Sequence, residues 1–382
     1  MLLYNKQIAI VGGGMAGLTL ARLLQQENVD VKVYERDLNR NVRVQGSTLD
    51  LHEGTGLEAM KRAGLLDEFY KHHRPEASRM VLVDKQLHVH FNENTFAKFV
   101  AETRPEIDRA PLRDILLNSL KPATVVWDSH FVSMEKQNSG WKIHFKNGTS
   151  AYADLVIAAD GANSQIRPYL SDTKPVYSGI TLIQGDIYEV ERSGSKLFSF
   201  GKLMAFDDEK MLGYGTKGDG SVMFILAFKC PENWLAESSI DFGNKEEILN
   251  WFKKEFAGWN ENWQELFTNE TVQFTPRPQY YFPFDQAWKT QGNLTMIGDA
   301  AHRMPPFAGE GANVAMQDSF ELAEVLTSGR FPDIETAISH FEKEMVARGA
   351  AATEDTLRNM ERMFSKTGLK QMVTFFSQVT SG

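Results

Sequence analysis

Three glycines near the start of the chain have the spacing of a phosphate-binding turn. Gly12, Gly14 and Gly17 follow the apolar run Ile8 to Val11, which is typical of a buried parallel strand. The first glycine permits the tight turn, the second lets backbone N–H groups approach a diphosphate, and the third lets a helix pack closely on the strand. The N-terminus of that helix would add unpaired N–H groups and a positive dipole.

An acid closes the same strand–turn–helix–strand unit. The second predicted strand, residues 29–34, ends at Glu35, whose carboxylate can accept hydrogen bonds from the ribose hydroxyls of a dinucleotide. That carboxylate would repel a 2′-phosphate, so the unit favours FAD or NAD over NADP. The segment Gly213 to Gly218 repeats the glycine spacing, but a strand-like run follows it, so it predicts a hairpin turn.

A second stretch, IGDAAHRMPPFAGEGAN, occupies residues 297–313 and runs into a segment with helical spacing. Pro305 and Pro306 stiffen the loop and remove two backbone donors. Gly309 and Gly311 carry no side chain that would keep a planar ring from their backbone amides. The combination predicts a rigid loop against which a flat cofactor ring can lie.

The acid and the histidine of this stretch are assigned different roles. Asp299 ends a predicted strand and can accept a hydrogen bond from a ribityl hydroxyl. His302 is interpreted as structural. The helix that follows ends near Gly329, and its N-terminus would stabilise an anionic reduced flavin.

Three motifs in this order resemble those of the class A flavoprotein aromatic hydroxylases. They are the glycine unit, the segment DLVIAADGANSQIR with Asp160 at the end of a strand, and the proline loop. The resemblance implies an α/β fold with a glutathione-reductase-type FAD-binding domain, a β-sheet substrate domain and a long C-terminal helix. The chain is similar in particular to the tetracycline-inactivating flavin monooxygenases, in four segments: residues 35–52, 106–120, 124–128 and 295–313.

The resemblance also implies the chemistry. NADPH would reduce FAD, and a C4a-hydroperoxyflavin formed with O₂ would hydroxylate a polycyclic or phenolic aromatic substrate. The protein would supply orientation and a dry pocket, so no catalytic side chain is expected. Tetracycline-type antibiotics are the leading substrate, with resistance by inactivation. Hydroxylation of another aromatic polyketide or phenol, a flavin oxidase or dehydrogenase, and a flavoprotein that only sequesters a drug stay open.

Cofactor contacts are carried over by matching position. FAD would be bound by residues of the three motifs and of the chain between them: Gly12, Gly14, Gly17, Glu35, Arg36, Asp50, Arg109, Asp160, Asp299, Pro306, Gly309 and Gly311. Arg43, in VRVQG, matches the family position assigned to NADPH, the co-substrate. For Arg113, a contact in the site and a cation on a helix surface fit the sequence equally well.

Substrate contacts are expected from the substrate sheet and the proline loop. By resemblance, Gln184 would hydrogen-bond a polar substrate edge, and the flavin side would be lined by Pro306, Phe307 and Gly309. Lys202 and Met223 stand where the tetracycline enzymes have an arginine and a histidine. Lysine lacks the planar guanidinium fork of arginine, and methionine offers no polar group to a substrate. These two replacements leave the expected reaction type unchanged, but they allow a substrate other than a tetracycline.

The composition narrows the class of protein. The 382 residues have a formal net charge of -9 and no dense basic run, which argues against a nucleic-acid binder. Cys230 is the only cysteine, so an intrachain disulfide and a cysteine-rich zinc site are excluded. No metal ligands are assigned. No leader and no membrane-length apolar run is evident. We therefore expect a cytoplasmic monomer whose partners are small molecules and O₂.

The elements between the motifs predict three parts. The FAD-binding domain is discontinuous and takes residues 1–75, 103–178 and 279–328. The substrate domain takes residues 179–278, with residues 80–100 alongside and a strand over residues 88–100. Residues 334–380 contain no proline and predict a single amphipathic helix that bridges the two domains.

Overall fold

The strands form four sheets in the part of the chain that the structure describes. The computed structural model describes residues 2–42, 48–95, 104–190 and 197–381. The strands, in chain order, are β1 Ile8–Val11, β2 Val31–Tyr34, β3 Thr48–Asp50, β4 Met80–Val83, β5 Val89–Asn92, β6 Glu106–Asp108, β7 Val125–Val126, β8 Phe131–Gln137, β9 Gly140–Phe145, β10 Ser150–Ala153, β11 Leu155–Ala158, β12 Val176–Ile187, β13 Lys202–Asp207, β14 Lys210–Thr216, β15 Val222–Lys229, β16 Gln273–Tyr281 and β17 Leu294–Met296.

Helices cover both large sheets. In chain order they are α1 Met15–Gln26, α2 Gly56–Arg62, α3 Leu66–His72, α4 Arg109–Asn118, α5 Trp234–Glu237, α6 Lys245–Glu255, α7 Glu265–Thr268, α8 Asp299–His302, α9 Gly311–Thr327, α10 Ile334–Met363 and α11 Gly368–Ser381. Within the described ranges, none of them combines the length and the apolar character that crossing a membrane requires.

A five-stranded parallel sheet, in the order β17-β11-β1-β2-β7, carries the three sequence motifs. Its central strands β1 and β11 are buried along their whole length, because helices and the three-stranded β8–β10 sheet cover its faces. Parallel strands bring their carboxyl ends to one edge. The glycine turn, Asp160 and Asp299 follow β1, β11 and β17, so the motifs meet at that edge.

The second large sheet is mixed, in the order β16-β12-β15-β14-β13-β4-β5. Side chains alternate between its two faces. One face packs against α6 and α7 through an aromatic layer that includes Phe252, Phe256, Trp263 and Phe267. The other face, which we call the open face, is covered at one end by the C-terminal helices and continues towards the proline loop.

The C-terminal segment is two helices rather than the predicted single one. Helix α10 ends at Met363, and the chain turns before α11 begins at Gly368. A Cβ on Gly368 would lie 2.4 Å from the carbonyl oxygen of Met363, so the reversal requires glycine there. The turn lets α11 return over β4, β5 and β13, where Phe376 contacts Phe91.

Two other local predictions need correction. The segment Gly213 to Gly218 is not a turn as a whole, because β14 continues through Gly213 and Gly215, and the reversal lies at residues 217–221. The strand predicted over residues 88–100 covers only Val89–Asn92, followed by a 3₁₀ turn at Glu93–Thr95. Residues 96–100 lie outside the described part of the chain.

The aromatic layer predicts a large stability loss on truncation. The ring of Phe267 is buried and stacks on Phe252 with a centroid distance of 4.4 Å. We expect Phe267→Ala to lower the free energy of unfolding by about 3–5 kcal/mol, measured by urea unfolding. Val132→Ala, on an exposed strand position, is the control and should stay within about 0.5 kcal/mol. Equal losses for both variants would contradict this packing.

Candidate active site

The three glycines of the first motif have different surroundings. Gly12 has a φ of 112°, and a Cβ there would lie 2.1 Å from the carbonyl oxygen of Ala159. A Cβ on Gly17 would lie 2.1 Å from the carbonyl oxygen of Gly12, so the helix could not pack on the strand. Gly14, the N-cap of α1, has no atom within 4 Å of such a Cβ. Two glycines therefore shape the turn, and the third leaves its surface open.

Glu35 is buried directly beneath this turn. Its Oε2 accepts a hydrogen bond from the backbone N–H of Gly13 at 2.6 Å, and its Oε1 accepts one from Asp37 at 3.0 Å. Arg36 is exposed at the same edge. Arg113 is 2% exposed and forms an ion pair with Asp37 at 3.3 Å, so it is not a helix-surface cation. It supports the turn from within.

Asp160 is held by one carboxylate oxygen only. Its Oδ2 accepts the backbone N–H of Gln165 at 2.9 Å, while its buried Oδ1 has no hydrogen-bond donor among the described residues. Burial raises the pKa of this carboxyl above its usual value. Burial of this oxygen without a hydrogen bond costs free energy, and a donor on a bound molecule would offset that cost.

Asp299 and Arg109 lie at the starts of α8 and α4. The surrounding protein desolvates the Asp299 carboxyl and raises its pKa, although the positive charges of His302 and Arg109 oppose the change. Desolvation likewise lowers the pKa of Arg109, with Asp299 opposing. The structure thus brings these two predicted cofactor ligands together.

His302 is a buried structural residue, as interpreted from the sequence. Its Nε2 lies 2.5 Å from the Asp318 carboxylate, which also accepts the N–H of Gly298 at 2.8 Å. Arg348 of α10 pairs with the same carboxylate at 2.8 Å. The buried charge of Asp318 is therefore compensated on three sides, and it anchors the segment that presents Asp299.

The proline loop is fixed from both sides. Thr356 of α10 donates to the Pro305 carbonyl at 2.8 Å and accepts the Ala308 N–H at 3.0 Å. Gly309 follows in the left-handed region with a φ of 72°. Pro306 and Gly309 are exposed, whereas the Phe307 ring is buried against Phe364, so the ring mostly supports the loop rather than lining its outer surface.

Asp50 lies next to this loop, within an ionic group. A Cβ on Gly309 would be 3.5 Å from the Asp50 carboxylate. His52 pairs with Asp50 at 3.0 Å and with Glu310 at 3.3 Å. Burial opposes protonation of His52, but the two carboxylates raise its pKa to about 9. The pKa of Asp50 stays below its usual value despite burial, since His52 and Lys202 stabilise its charge.

Three of the predicted substrate residues, Gln184, Met223 and Lys202, lie on the open face of the large sheet. Asp186 on β12 is opposite Met223 on β15, which is opposite Gly215 on β14, which is opposite Lys202 on β13. Directly opposed residues of antiparallel strands point to the same face. A Cβ on Gly215 would have no atom within 4 Å, so the middle of this row is bare backbone. We call this flat row, with Gly215 between Met223 and Lys202, the glycine floor.

Two of these residues already have partners inside the protein. Lys202 forms an ion pair with the buried Glu106 of β6, and the positive charge is also close to Asp50. Gln184 accepts a hydrogen bond from Arg277 at 2.8 Å and donates one to Asp186 at 2.6 Å. Both predicted substrate residues are thus held in place by partners within the protein.

Several residues of the site were not predicted from the sequence. They are two polar residues of the sheets, four residues that support the loop, and the glycine in the middle of the row: Glu106, Arg277, His52, Glu310, Asn313, Thr356 and Gly215. The alternation of glycine with Leu212 and Tyr214 was the available signal for a strand. The ionic and hydrogen-bonded partners are far apart in sequence and gave no local signal. Arg43 lies outside the described residues.

The site fits a dinucleotide that carries a flat ring. The open surface at Gly14 can receive a diphosphate, and the unsatisfied Asp160 oxygen can accept a hydrogen bond. The rigid loop at Gly309 lies at the end of the open sheet face, where a ring could meet a substrate. Fold and site together define a flavin-dependent oxidoreductase with an α/β cofactor-binding part and a β-sheet substrate part.

Comparison with known proteins identifies the family. Residues 5–190 and 261–329 match the FAD binding domain family, and the chain belongs to it, among the FAD-dependent aromatic monooxygenases. A monooxygenase of Penicillium thymicola, penA, is 29% identical, with 96% of this chain and 97% of the relative covered. The expected fold class and FAD as the cofactor are thereby confirmed.

Solved structures share the fold over nearly the whole length. Klebsiella pneumoniae HpxO in complex with FAD and uric acid has a TM-score of 0.76 and 20% identity, covering 100% of this chain and 94% of that one. The tetracycline destructase Tet(51) has a TM-score of 0.74 and 17% identity, covering 98% and 96%. At these identities the likeness establishes the fold, and it leaves the substrate open.

The different surroundings of Gly14 and Gly17 predict separable effects. Gly14→Ala should leave the folded protein intact but lower FAD affinity at least about tenfold, because the new methyl group occupies the open surface of the turn. Gly17→Ala should instead destabilise the FAD-free protein by about 1–3 kcal/mol. Thermal unfolding of FAD-free protein and fluorescence titration with FAD measure the two effects. Normal FAD affinity of the folded Gly14→Ala protein would contradict the assignment.

The ionic group around His52 predicts a pH-dependent stability difference. Folding raises the pKa of His52 from 6.5 to about 9, so its stabilisation is complete below pH 6.5 and is lost as the pH rises through 9. His52→Gln should cost at most about 3 kcal/mol near pH 6, and the difference from wild type should shrink towards pH 10. Urea unfolding across this range is the measurement. A constant difference would rule out the charged imidazole.

Proposed function

We propose that the chain is an NADPH- and O₂-dependent monooxygenase that inserts one oxygen atom into an aromatic or polycyclic phenolic molecule. The observation that carries this proposal is the shared wall between the two parts of the site. The buried ring of Phe307, in the proline loop, packs in the same cluster as Leu182 and Met211 of the open face. A flat substrate on the glycine floor would therefore lie next to a ring held at the loop.

The contribution of this chain is binding, orientation and the exclusion of water. FAD, when bound, supplies the reaction with NADPH and the activation of O₂. The glycine turn and Asp160 would hold the diphosphate end, and Asp299 with Arg109 the middle of the cofactor. The N-terminus of α9, which begins at Gly311, places a positive dipole beside the loop and would stabilise negative charge on a ring there.

NADPH would bind outside the glycine turn. The buried Glu35 carboxylate beneath that turn repels a 2′-phosphate, so the reductant needs a separate site. The resemblance places this contact at Arg43. The chain contains no second glycine unit in the strand–helix context that a resident dinucleotide requires. A brief encounter with NADPH at the surface of the FAD-bound protein is consistent with both observations.

Tetracyclines are the first substrates to test, and smaller aromatic compounds are the alternative. The motif resemblance supports tetracyclines, and a tetracycline destructase shares the fold. Two features favour the alternative. Met223 gives the floor an apolar side chain, and the Lys202 ammonium is paired with Glu106 and lacks the planar fork of an arginine. A neighbour of the same fold binds uric acid.

The purified protein should be yellow with bound FAD. Addition of a tetracycline or a substituted phenol should speed NADPH oxidation and give a product with one added oxygen atom. Mass spectrometry after reaction under ¹⁸O₂ tests the origin of that atom. The other oxygen atom of O₂ leaves as water, with the electrons supplied by NADPH.

Two controls make this experiment decisive. The folded Gly14→Ala protein, depleted of FAD, should show no ligand-stimulated NADPH oxidation. Peroxide should be measured in parallel, because an uncoupled oxidase consumes NADPH without changing the substrate. If every compound tried gives peroxide and no oxygenated product, the monooxygenase proposal fails.

A further inference from the structure

The open face is covered near the proline loop and opens further along β14. Met211 and the residues opposite it on β13 and β15 are buried in the cluster that contains the Phe307 ring. Residues on one face of a strand are two apart, so Gly213 and Gly215 are the next positions of β14 on this face. The larger side chains beside these glycines are half-buried: Met204, Ile225, Met223 and Lys202. A trough therefore begins at the covered cluster and runs over the two glycines.

The two glycines of the trough have different surroundings. A Cβ on Gly213 would lie 3.2 Å from the Cγ of Met204, so Gly213 makes room for that side chain. A Cβ on Gly215 would have no atom within 4 Å, and the φ of Gly215 is not positive. Neither packing within the described residues nor backbone conformation therefore requires glycine at position 215. The space above Gly215 is available to a bound molecule.

The trough offers an apolar surface to such a molecule. Met204, Ile225 and Met223 carry no N–H or O–H group, and β14 pairs with β13 on one side and β15 on the other, which uses its backbone polar groups. Methionine sulfur also makes favourable contacts with aromatic rings. Lys202 lies at the margin, with its ammonium paired with Glu106. The trough therefore fits a flat, apolar part of a ligand.

The length of the trough limits the size of that ligand. Gly215 is four residues beyond Met211 along β14, which corresponds to about 13 Å. Under the proposed function the reacting ring lies at the loop end, next to the cluster that contains Met211 and Phe307. A single aromatic ring at that end is too short to reach Gly215, whereas three rings fused in a line cover most of the distance.

We propose that Gly215 selects the substrate by length, and that the enzyme acts on phenols of at least three linearly fused rings whose far ring is apolar. This inference rests on the proposed monooxygenase function and narrows its substrate class. The reacting ring lies at the loop, and the far ring lies on the bare backbone of Gly215 beside the Met223 side chain. Gly215 is thus a specificity-determining residue and takes no part in the chemistry.

The test compares two phenols of the same composition on the FAD-bound protein. 2-Hydroxyanthracene has its three rings in a line, and 9-hydroxyphenanthrene is its angular isomer, so the two differ mainly in length. Isothermal titration calorimetry should show that 2-hydroxyanthracene binds wild type about tenfold or more tightly. Tetracycline is also long but has polar edges, and it should bind about tenfold or more weakly than 2-hydroxyanthracene.

Variants of Gly215 separate length from general hydrophobicity. Gly215→Val places a side chain suited to a strand in the trough. It should weaken binding of 2-hydroxyanthracene roughly 10- to 100-fold and change binding of its angular isomer less than about twofold. Gly215→Ala, which adds one methyl group, should give an intermediate loss for the linear isomer only. Thermal unfolding verifies that both variants are folded. Ser150→Val, on an exposed strand position of another sheet, is the control and should leave all titrations unchanged.

Three results would overturn the length assignment. They are equal affinities of wild type for the two isomers, tighter binding of tetracycline than of 2-hydroxyanthracene, and a loss in Gly215→Val that is absent or equal for both isomers. These titrations measure binding and not oxygen insertion. A phenol of either shape could gain an oxygen atom from ¹⁸O₂ while the length preference is absent, so the proposed function and this inference fail separately.

Discussion

A single buried amide joins the two remote segments that form the loop end of the site. Asn313, 0% exposed, donates to the carbonyl oxygens of Asp50 at 2.9 Å and Gly309 at 3.4 Å, and accepts the His52 N–H at 2.9 Å. These contacts connect positions about 260 residues apart. Without them, buried backbone groups would lose their partners at a cost of about 1–3 kcal/mol each. Together with the His52–Glu310 ion pair, this side chain holds the loop next to Asp50.

Helix α10 extends this constraint from the cofactor part to the substrate sheet. Arg348 compensates the buried Asp318, and Thr356 binds both ends of the proline turn. Further along, Met363 packs in the cluster of the open face, together with the Phe307 ring. One continuous helix therefore contacts the anchor, the loop and the sheet. Since a helix is stiff along its axis, it fixes the gap in which a ring and a substrate would meet.

The sequence predicted those features of the site that depend on residues close together in the chain. The glycine unit could be predicted because turn, helix and strand lie within 35 residues, and Gly12 and Gly17 each have a steric reason within that span. Partners such as Lys202 and Glu106 are 96 residues apart, and only the register of two sheets brings them together. Gly213 followed the alternation of its strand rather than its turn propensity, because pairing with Ile225 overrides local preference.

The two ends of the open face differ in charge. At the β13 end, the ammonium of Lys202 faces Glu106 and lies near Asp50 and Glu93, so carboxylates outnumber the cation. At the β16 edge, Arg277 has no carboxylate partner among the described residues. The open face therefore changes from a carboxylate-rich end at β13 to an exposed arginine at the β16 edge.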